Sequence, residues 1–116
     1  MVLDFFKGDI KTVQKIKQYS EADILCITSV SYLELLSVIR GQGRWDVLKV
    51  IDKLEMLNFD RKAAVRAAKI YEQAEDAHIE MGMREIVNAS ICISNNALLL
   101  TSERRQYEGV NGLKFV

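Results

Sequence analysis

The chain has 116 residues, of which 49% are hydrophobic and 28% are charged, a composition typical of one small globular domain rather than a disordered chain. Sixteen basic and sixteen acidic residues cancel, so the net charge gives no support for non-specific nucleic-acid binding, although a local basic patch is still compatible with it. No apolar run approaches the roughly 20 residues of a membrane helix, and no signal peptide is visible.

The cysteines and the single histidine form no metal-binding or catalytic pattern. Cys26 and Cys92 lie in apolar stretches and make no CxxC motif or Cys/His set, so we expect buried free thiols and a cytoplasmic protein. His78 lies in a charged segment, AEDAHIEMG, where a solvated side chain is expected. A Ser-His triad or a histidine-based nuclease is therefore not indicated.

The first part of the chain predicts a buried strand followed by a capped helix. The apolar residues before the Gly8-Asp9 break look like the tail of a buried element, and a helical face follows from 10 to 19. Residues 24–28, ILCIT, form an apolar, β-prone run. Ser31 then opens a helix, and Glu34 three residues later completes a capping box in which both side chains accept backbone N–H groups. The capping box therefore explains Glu34 by a structural role, without any catalytic function.

The middle of the chain predicts a helix over residues 45–54 and a short strand over 56–59. Asp60 is a plausible N-cap for a long helix over 61–79, rich in Ala, Lys and Glu. The face of this helix that we expect to pack closely consists of Ala64, Ala67, Ala68, Tyr71 and Ala74.

The segment from 84 to 103, REIVNASICISNNALLLTSE, predicts a buried helix, a break at Asn95-Asn96, a strand over 97–100 and a polar turn. A last short strand is expected over 113–116. Glu85 opens the helix and Glu103 follows the strand. On the helix, Glu85 shares a stripe with Asn88, Ala89 and Cys92.

Helices that alternate with short apolar strands predict one α/β domain, residues 1–116, with a parallel sheet covered by helices on both faces. Because the strand C-termini share one edge, Glu34 and Glu103 can converge there, and Glu85 can enter from its helix. Clustered carboxylates without Cys or His suit Mg²⁺ or Mn²⁺ rather than Zn²⁺. The alternative is structural: Glu34 as a cap, Glu85 at a positive helix end, and Glu103 in a solvated turn.

From Asp4 to the C-terminus, the sequence resembles the PIN-domain family, metal-dependent endoribonucleases that include VapC-type toxins. VLDFFKGD resembles the end of the first strand and the start of the first helix of the family. The second strand of the family and the helix with its second acid are resembled by ITSVSYLELLSVIRG. The helix that the third acid opens is resembled by REIVNASICISNNALLLT. TSERRQY is similar to the Thr-x-Asp/Asn turn, and GLKFV to the last strand.

The resemblance implies a three-layer PIN-like fold and an Mg²⁺- or Mn²⁺-dependent endoribonuclease of the VapC type. It places the second acid on Glu34, the third on Glu85, the variable fourth on Glu103, and the adjacent hydroxyl on Thr101. These three glutamates would hold the metal. The implied partners are an RNA substrate, a VapB-like antitoxin that covers the acidic pocket, and a second copy in a homodimer.

Two departures from the family pattern matter. The Asp that ends the family's first strand would precede Met1, and Asp4 matches a later acidic position in the first helix, so the N-terminal strand and its Asp are predicted to be missing. Glu replaces the usual Asp at positions 85 and 103, and the extra methylene moves each carboxylate by roughly 1.5 Å. The alternative function is a non-catalytic PIN-like remnant that serves as a protein-binding or structural module.

Overall fold

The structure, a computed structural model, describes residues 2–3, 26–101 and 103–115 and confirms the expected α/β architecture. Within these residues, four short parallel strands form one sheet in the order β3-β2-β1-β4. The strands are β1 (Val2–Leu3), β2 (Cys26–Thr28), β3 (Glu55–Leu57) and β4 (Leu99–Leu100). The described helices are α1 (Ser29–Val38), α2 (Gln42–Ile51), α3 (Arg61–Asp76) and α4 (Met83–Ser94), and a 3₁₀ turn spans Arg104–Tyr107.

The N-terminal strand is present, so the prediction that it is missing is wrong. Strand β1 lies in the middle of the sheet, where Leu3 is level with Ile27 of β2 and with Leu100 of β4. A strand of two residues is shorter than usual and carries too little pattern to be recognised as complete from sequence. Asp4, which we assigned to the first helix, and the helical face predicted over 10–19 lie outside the described residues.

Helix α1 is capped by Thr28 rather than by the predicted capping box. Thr28 has extended backbone geometry, and its hydroxyl accepts the backbone N–H of Ser31 at 3.0 Å. The helix therefore begins two residues before Ser31, because a threonine at the end of β2 supplies the capping oxygen first. Glu34 is the sixth residue of α1, so its carboxylate has no capping role.

Helix α3 confirms the predicted cap, since the Asp60 carboxylate accepts the backbone N–H of Ala63 at 2.9 Å. Its packed face is only partly the one predicted, because Ala64, Ala68 and Tyr71 are exposed. An alanine-rich helix offers several adjacent small faces, and its sequence does not select between them. The buried residues of α3 are Ala63, Ala67, Ile70 and Ala74.

Helix α4 ends as predicted, because Asn96 adopts a left-handed conformation with a φ of 51°. The Ala97 N–H then donates to the Cys92 carbonyl oxygen, and the chain turns into β4. Phe115 forms a parallel bridge with Leu99, where the last strand was expected. The main core consists of Ala67, Ile70, Ile86, Ala89, Cys92, Leu99, Tyr107 and Val110. Among the described helices, none is long and apolar enough to cross a membrane.

Candidate acidic site

The strand order creates a switch point at the carboxyl end of β1. From β1 the sheet extends through β2 and β3 on one side, whereas β4 pairs with the other side of β1. Ligands of open α/β sheets bind outside the carboxyl ends of strands at such a point. Helix α1 starts immediately after β2, and Thr101 follows β4. In the sequence, Asp4 is the residue after Leu3.

A buried polar network joins the end of β2 and the start of α1 to α4, next to the carboxyl end of the sheet. The Thr28 hydroxyl donates to Asn88 Oδ1 at 2.7 Å, and Asn88 Nδ2 donates to the Ser31 hydroxyl at 3.4 Å. Thr28 and Asn88 are fully buried, and Ser31 is 3% exposed. Glu34 lies one turn after Ser31, and Glu85 lies one turn before Asn88. The network therefore fixes the relative position of the two helices that carry these glutamates.

Glu34 and Glu85 meet at one cation, the guanidinium of Arg84. Arg84 Nε donates to Glu34 Oε1, and Arg84 Nη1 donates to Glu85 Oε1 at 3.0 Å. The side chains are only partly exposed, Glu34 by 29%, Arg84 by 23% and Glu85 by 13%. The structure thus brings together two of the three predicted acids, and Arg84 neutralises part of their combined charge.

The Glu85 carboxylate is folded back over Gly82, the residue directly before α4. Gly82 is the N-cap of this helix and supplies no side-chain hydrogen bond to it. A β-carbon at Gly82 would collide with Glu85 Oε2, and because this oxygen is the end of a flexible side chain, the Glu85 carboxylate would be displaced. The position of Glu85 therefore depends on the absence of a side chain three residues earlier.

Glu103 and Thr101 lie together in the turn after β4. The backbone N–H of Glu103 donates to Thr101 Oγ1 at 3.0 Å, which orders the turn. These residues line a shallow pocket of about 450 Å³ with Arg104, Arg105 and Gln106. Within the described residues, no three carboxylate, histidine or cysteine side chains are grouped closely enough to share a metal ion, so Glu103 does not complete such a group with Glu34 and Glu85.

Sequence reasoning missed Arg84 and the buried network, although part of the network left a signal. Asn88 lies on the same stripe of α4 as Glu85, where a polar residue among apolar ones suggests a buried hydrogen bond. Its partner Thr28 is 60 residues away in the chain, and the ion pair between Arg84 and Glu34 spans 50 residues. No local pattern indicates either contact.

The fold is that of a three-layer, PIN-like α/β domain, and solved structures of VapBC complexes contain similar chains. One is in the structure of VapBC2 from Rickettsia felis bound to a promoter DNA fragment, with a TM-score of 0.80 and 18% identity. Another is in DNA-bound VapBC from Salmonella typhimurium, with a TM-score of 0.78 and 18% identity. In both, the match covers 99% of this chain and 96% of the other.

A third similar chain, in VapBC-1 from nontypeable Haemophilus influenzae, has a TM-score of 0.77 and 14% identity over 100% of this chain and 97% of the other. At these identities the likeness establishes the fold. No protein-family model matches the sequence, and no curated protein matches it.

Proposed function

We propose that this protein is a divalent-metal-dependent endoribonuclease that acts as the toxin of a toxin–antitoxin pair. The observation that carries the proposal is the convergence of Glu34 and Glu85, from two different helices, on the single cation of Arg84. Two oxygen ligands that already enclose one positive charge can enclose Mg²⁺ or Mn²⁺ once the guanidinium moves aside. Glu34 lies on α1, which begins directly after β2, and Glu85 lies in the first turn of α4.

We assign the first acid to Asp4 instead of to a residue before Met1. Asp4 follows β1 in the sequence, and β1 is the central strand whose carboxyl end forms the switch point. Asp4, Glu34 and Glu85 would together supply three hard carboxylate ligands, directly or through water. Thr101 and Glu103 follow the neighbouring strand β4, where a hydroxyl and a fourth carboxylate can orient these groups or a second ion.

The proposed chemistry is in-line attack of water on an RNA phosphodiester bond. A bound Mg²⁺ or Mn²⁺ supplies a water of lowered pKa and stabilises charge on the phosphate. The carboxylates of this chain hold and orient that ion, and the network through Thr28 and Asn88 keeps the helices that carry Glu34 and Glu85 in register. Arg84 must leave both carboxylates before the two can bind the metal together.

The proposed partner is a VapB-like antitoxin, by analogy with the VapBC complexes that contain similar chains. Among the described side chains of α1 and α2, three large apolar ones are exposed, Leu33 and Val38 by 66% each and Trp45 by 60%. Exposed apolar residues of this size suit a protein interface, either with the antitoxin or with a second copy in a homodimer. Cytoplasmic RNA would be the substrate.

The alternative function, a non-catalytic PIN-like module, is favoured by the same Arg84. An arginine that permanently neutralises Glu34 and Glu85 would keep a metal out and would leave only the protein-binding surface in use. The two functions differ in whether the guanidinium can be displaced by a divalent ion.

RNA cleavage tests the proposal with a matched pair of variants. The parent should cleave a labelled single-stranded RNA in Mn²⁺ and should stop when EDTA is added. Glu34→Gln should reduce cleavage to background while the variant still unfolds in one cooperative transition. Glu72→Gln, the same change at an exposed position of α3, should leave cleavage intact. A parent without Mn²⁺-dependent cleavage would exclude the nuclease and favour the non-catalytic module.

A further inference from the structure

A groove of about 740 Å³ lies between α3 and the end of α4. The described residues that line this basic groove include four cationic residues and one residue with a hydroxyl, Arg61, Lys62, Arg66, Lys69 and Ser94. Ser94 is nine residues after Glu85, so the groove lies at the other end of α4, about 14 Å along its axis from the acidic site. The groove is therefore a separate surface.

The positive charge of the basic groove is a local excess. The whole chain has equal numbers of acidic and basic residues, yet residues 61–71 contain four basic residues and no acidic one. Among the described carboxylates, the ion pairs are those of Glu34 and Glu85 with Arg84, and none reaches the four groove cations. Three of these cations are exposed, and Arg66 is half-buried.

Two polar atoms in the groove distinguish it from an ordinary solvated helix face. Arg66 Nε and Ser94 Oγ are buried and have no hydrogen-bond partner among the described residues. Buried donors in folded proteins nearly always have an acceptor, so this pair is a candidate for binding an oxygen of a ligand. A guanidinium N–H and a hydroxyl both donate readily to an anionic oxygen.

The shape of the groove selects among anions. From residue 61 to residue 69 the cations extend over about 12 Å of α3, which suits a chain of negative charges better than one small ion. Because α3 and α4 pack directly, at the 8–10 Å or so that separates packed helices, the groove is too narrow for a double helix. One extended strand fits such a groove.

The lining favours a nucleic-acid backbone over an acidic protein segment. Most of the lining surface is apolar, but among the described residues that line the groove only Val65 and Ile93 have apolar side chains, and none is aromatic. Protein segments gain affinity mainly from buried aromatic and apolar anchors, whereas a polyphosphate gains it from the counterions that cationic side chains release. We propose that the basic groove binds the phosphodiester backbone of single-stranded RNA without sequence preference.

Fluorescence anisotropy with a labelled single-stranded RNA of about 12 nucleotides, in EDTA, tests this proposal. EDTA is used because the proposed nuclease needs a divalent metal for cleavage. Lys62→Met combined with Lys69→Met should weaken binding and reduce the slope of log affinity against log salt by about 1.4, since each single-strand phosphate contact contributes about 0.7. Lys49→Met with Lys53→Met, an equal charge loss on and just after α2, is the control and should change the slope little.

Arg66→Met provides a second variant, because it removes the buried donor as well as a charge. It should weaken RNA binding at every salt concentration, with folding checked by circular dichroism. Equal affinities and slopes for the groove variants and the control would overturn the proposal. Tighter binding of poly-glutamate than of RNA, lost in the same variants, would also overturn it in favour of an acidic protein segment. Glu34→Gln should retain RNA binding, so failure of the nuclease proposal and failure of this one are distinguishable.

Discussion

Replacing Arg84 by methionine should tighten Mn²⁺ binding, because it removes the cation that now occupies Glu34 and Glu85 while keeping a similar stem. Both ion pairs are partly exposed, and pairs of this kind contribute about 0.5–1 kcal/mol each. A metal ion must displace both, at a cost of about 1–2 kcal/mol. The Kd for Mn²⁺ should therefore fall by about 5- to 30-fold, as measured by isothermal titration calorimetry.

The same variant should have the opposite effect on stability when no metal is present. Without Arg84, the carboxylates of Glu34 and Glu85 lose their shared counterion, and the free energy of unfolding in EDTA should fall by about 1–2 kcal/mol. Saturating Mn²⁺ should reverse the loss, since a ligand that binds only the folded state stabilises it. Urea unfolding with and without Mn²⁺ measures both quantities.

Arg40→Met is the control for these measurements, because it removes an arginine from an exposed position just after α1. It should change neither the Mn²⁺ affinity nor the response of stability to Mn²⁺. If Arg84→Met bound Mn²⁺ no more tightly than the parent, the idea that Arg84 competes with the metal would be refuted.

Two other substitutions and one measurement of cysteine reactivity have defined outcomes. Asn88→Leu should lower the free energy of unfolding by about 1–3 kcal/mol in urea titrations, because the buried Thr28 hydroxyl loses its acceptor; an unchanged value would show that the network contributes no stability. Gly82→Ala should weaken Mn²⁺ binding about tenfold, since the new methyl group displaces the Glu85 carboxylate, and parent-like calorimetry would argue against Glu85 as a ligand. Burial raises the pKa of the Cys26 thiol above its ordinary value of 9.0, so iodoacetamide should alkylate Cys26 more slowly than a free thiol at pH 9.0. The free energy of unfolding should also decline as the pH rises through the raised pKa, because the unfolded state loses the proton first. Alkylation of Cys26 at the rate of a free thiol would contradict this prediction.

Local sequence signals identified the elements that have strong patterns of their own. The buried helix before Asn95-Asn96, its left-handed end at Asn96 and the strand that follows were all visible in one stretch of sequence. The Asp60 cap was visible for the same reason, since a cap and its N–H donor are three residues apart. Short-range geometry of this kind depends on little else in the fold.

The features that could not be predicted depend on distant contacts or on very short elements. Strand β1 contains two residues, and only its pairing with β2 and β4 makes it the central strand. Helix α1 is capped by Thr28 instead of Ser31, because β2 ends at Thr28 and the helix begins directly after it. Arg84 adjoins Glu85 in sequence, but its bond to Glu34 requires α1 and α4 to pack together.

A Mn²⁺ titration of the parent and of Asp4→Asn by calorimetry tests most directly whether the carboxylates form a metal site with Asp4 as the first ligand. Asp9→Asn, the same change five residues later, is the control. We expect saturable binding in the parent and in the control, and at least a tenfold loss in Asp4→Asn, the loss typical of disturbing a metal site. Equal binding in all three proteins would contradict the assignment of Asp4, and no binding in the parent would contradict the metal site itself.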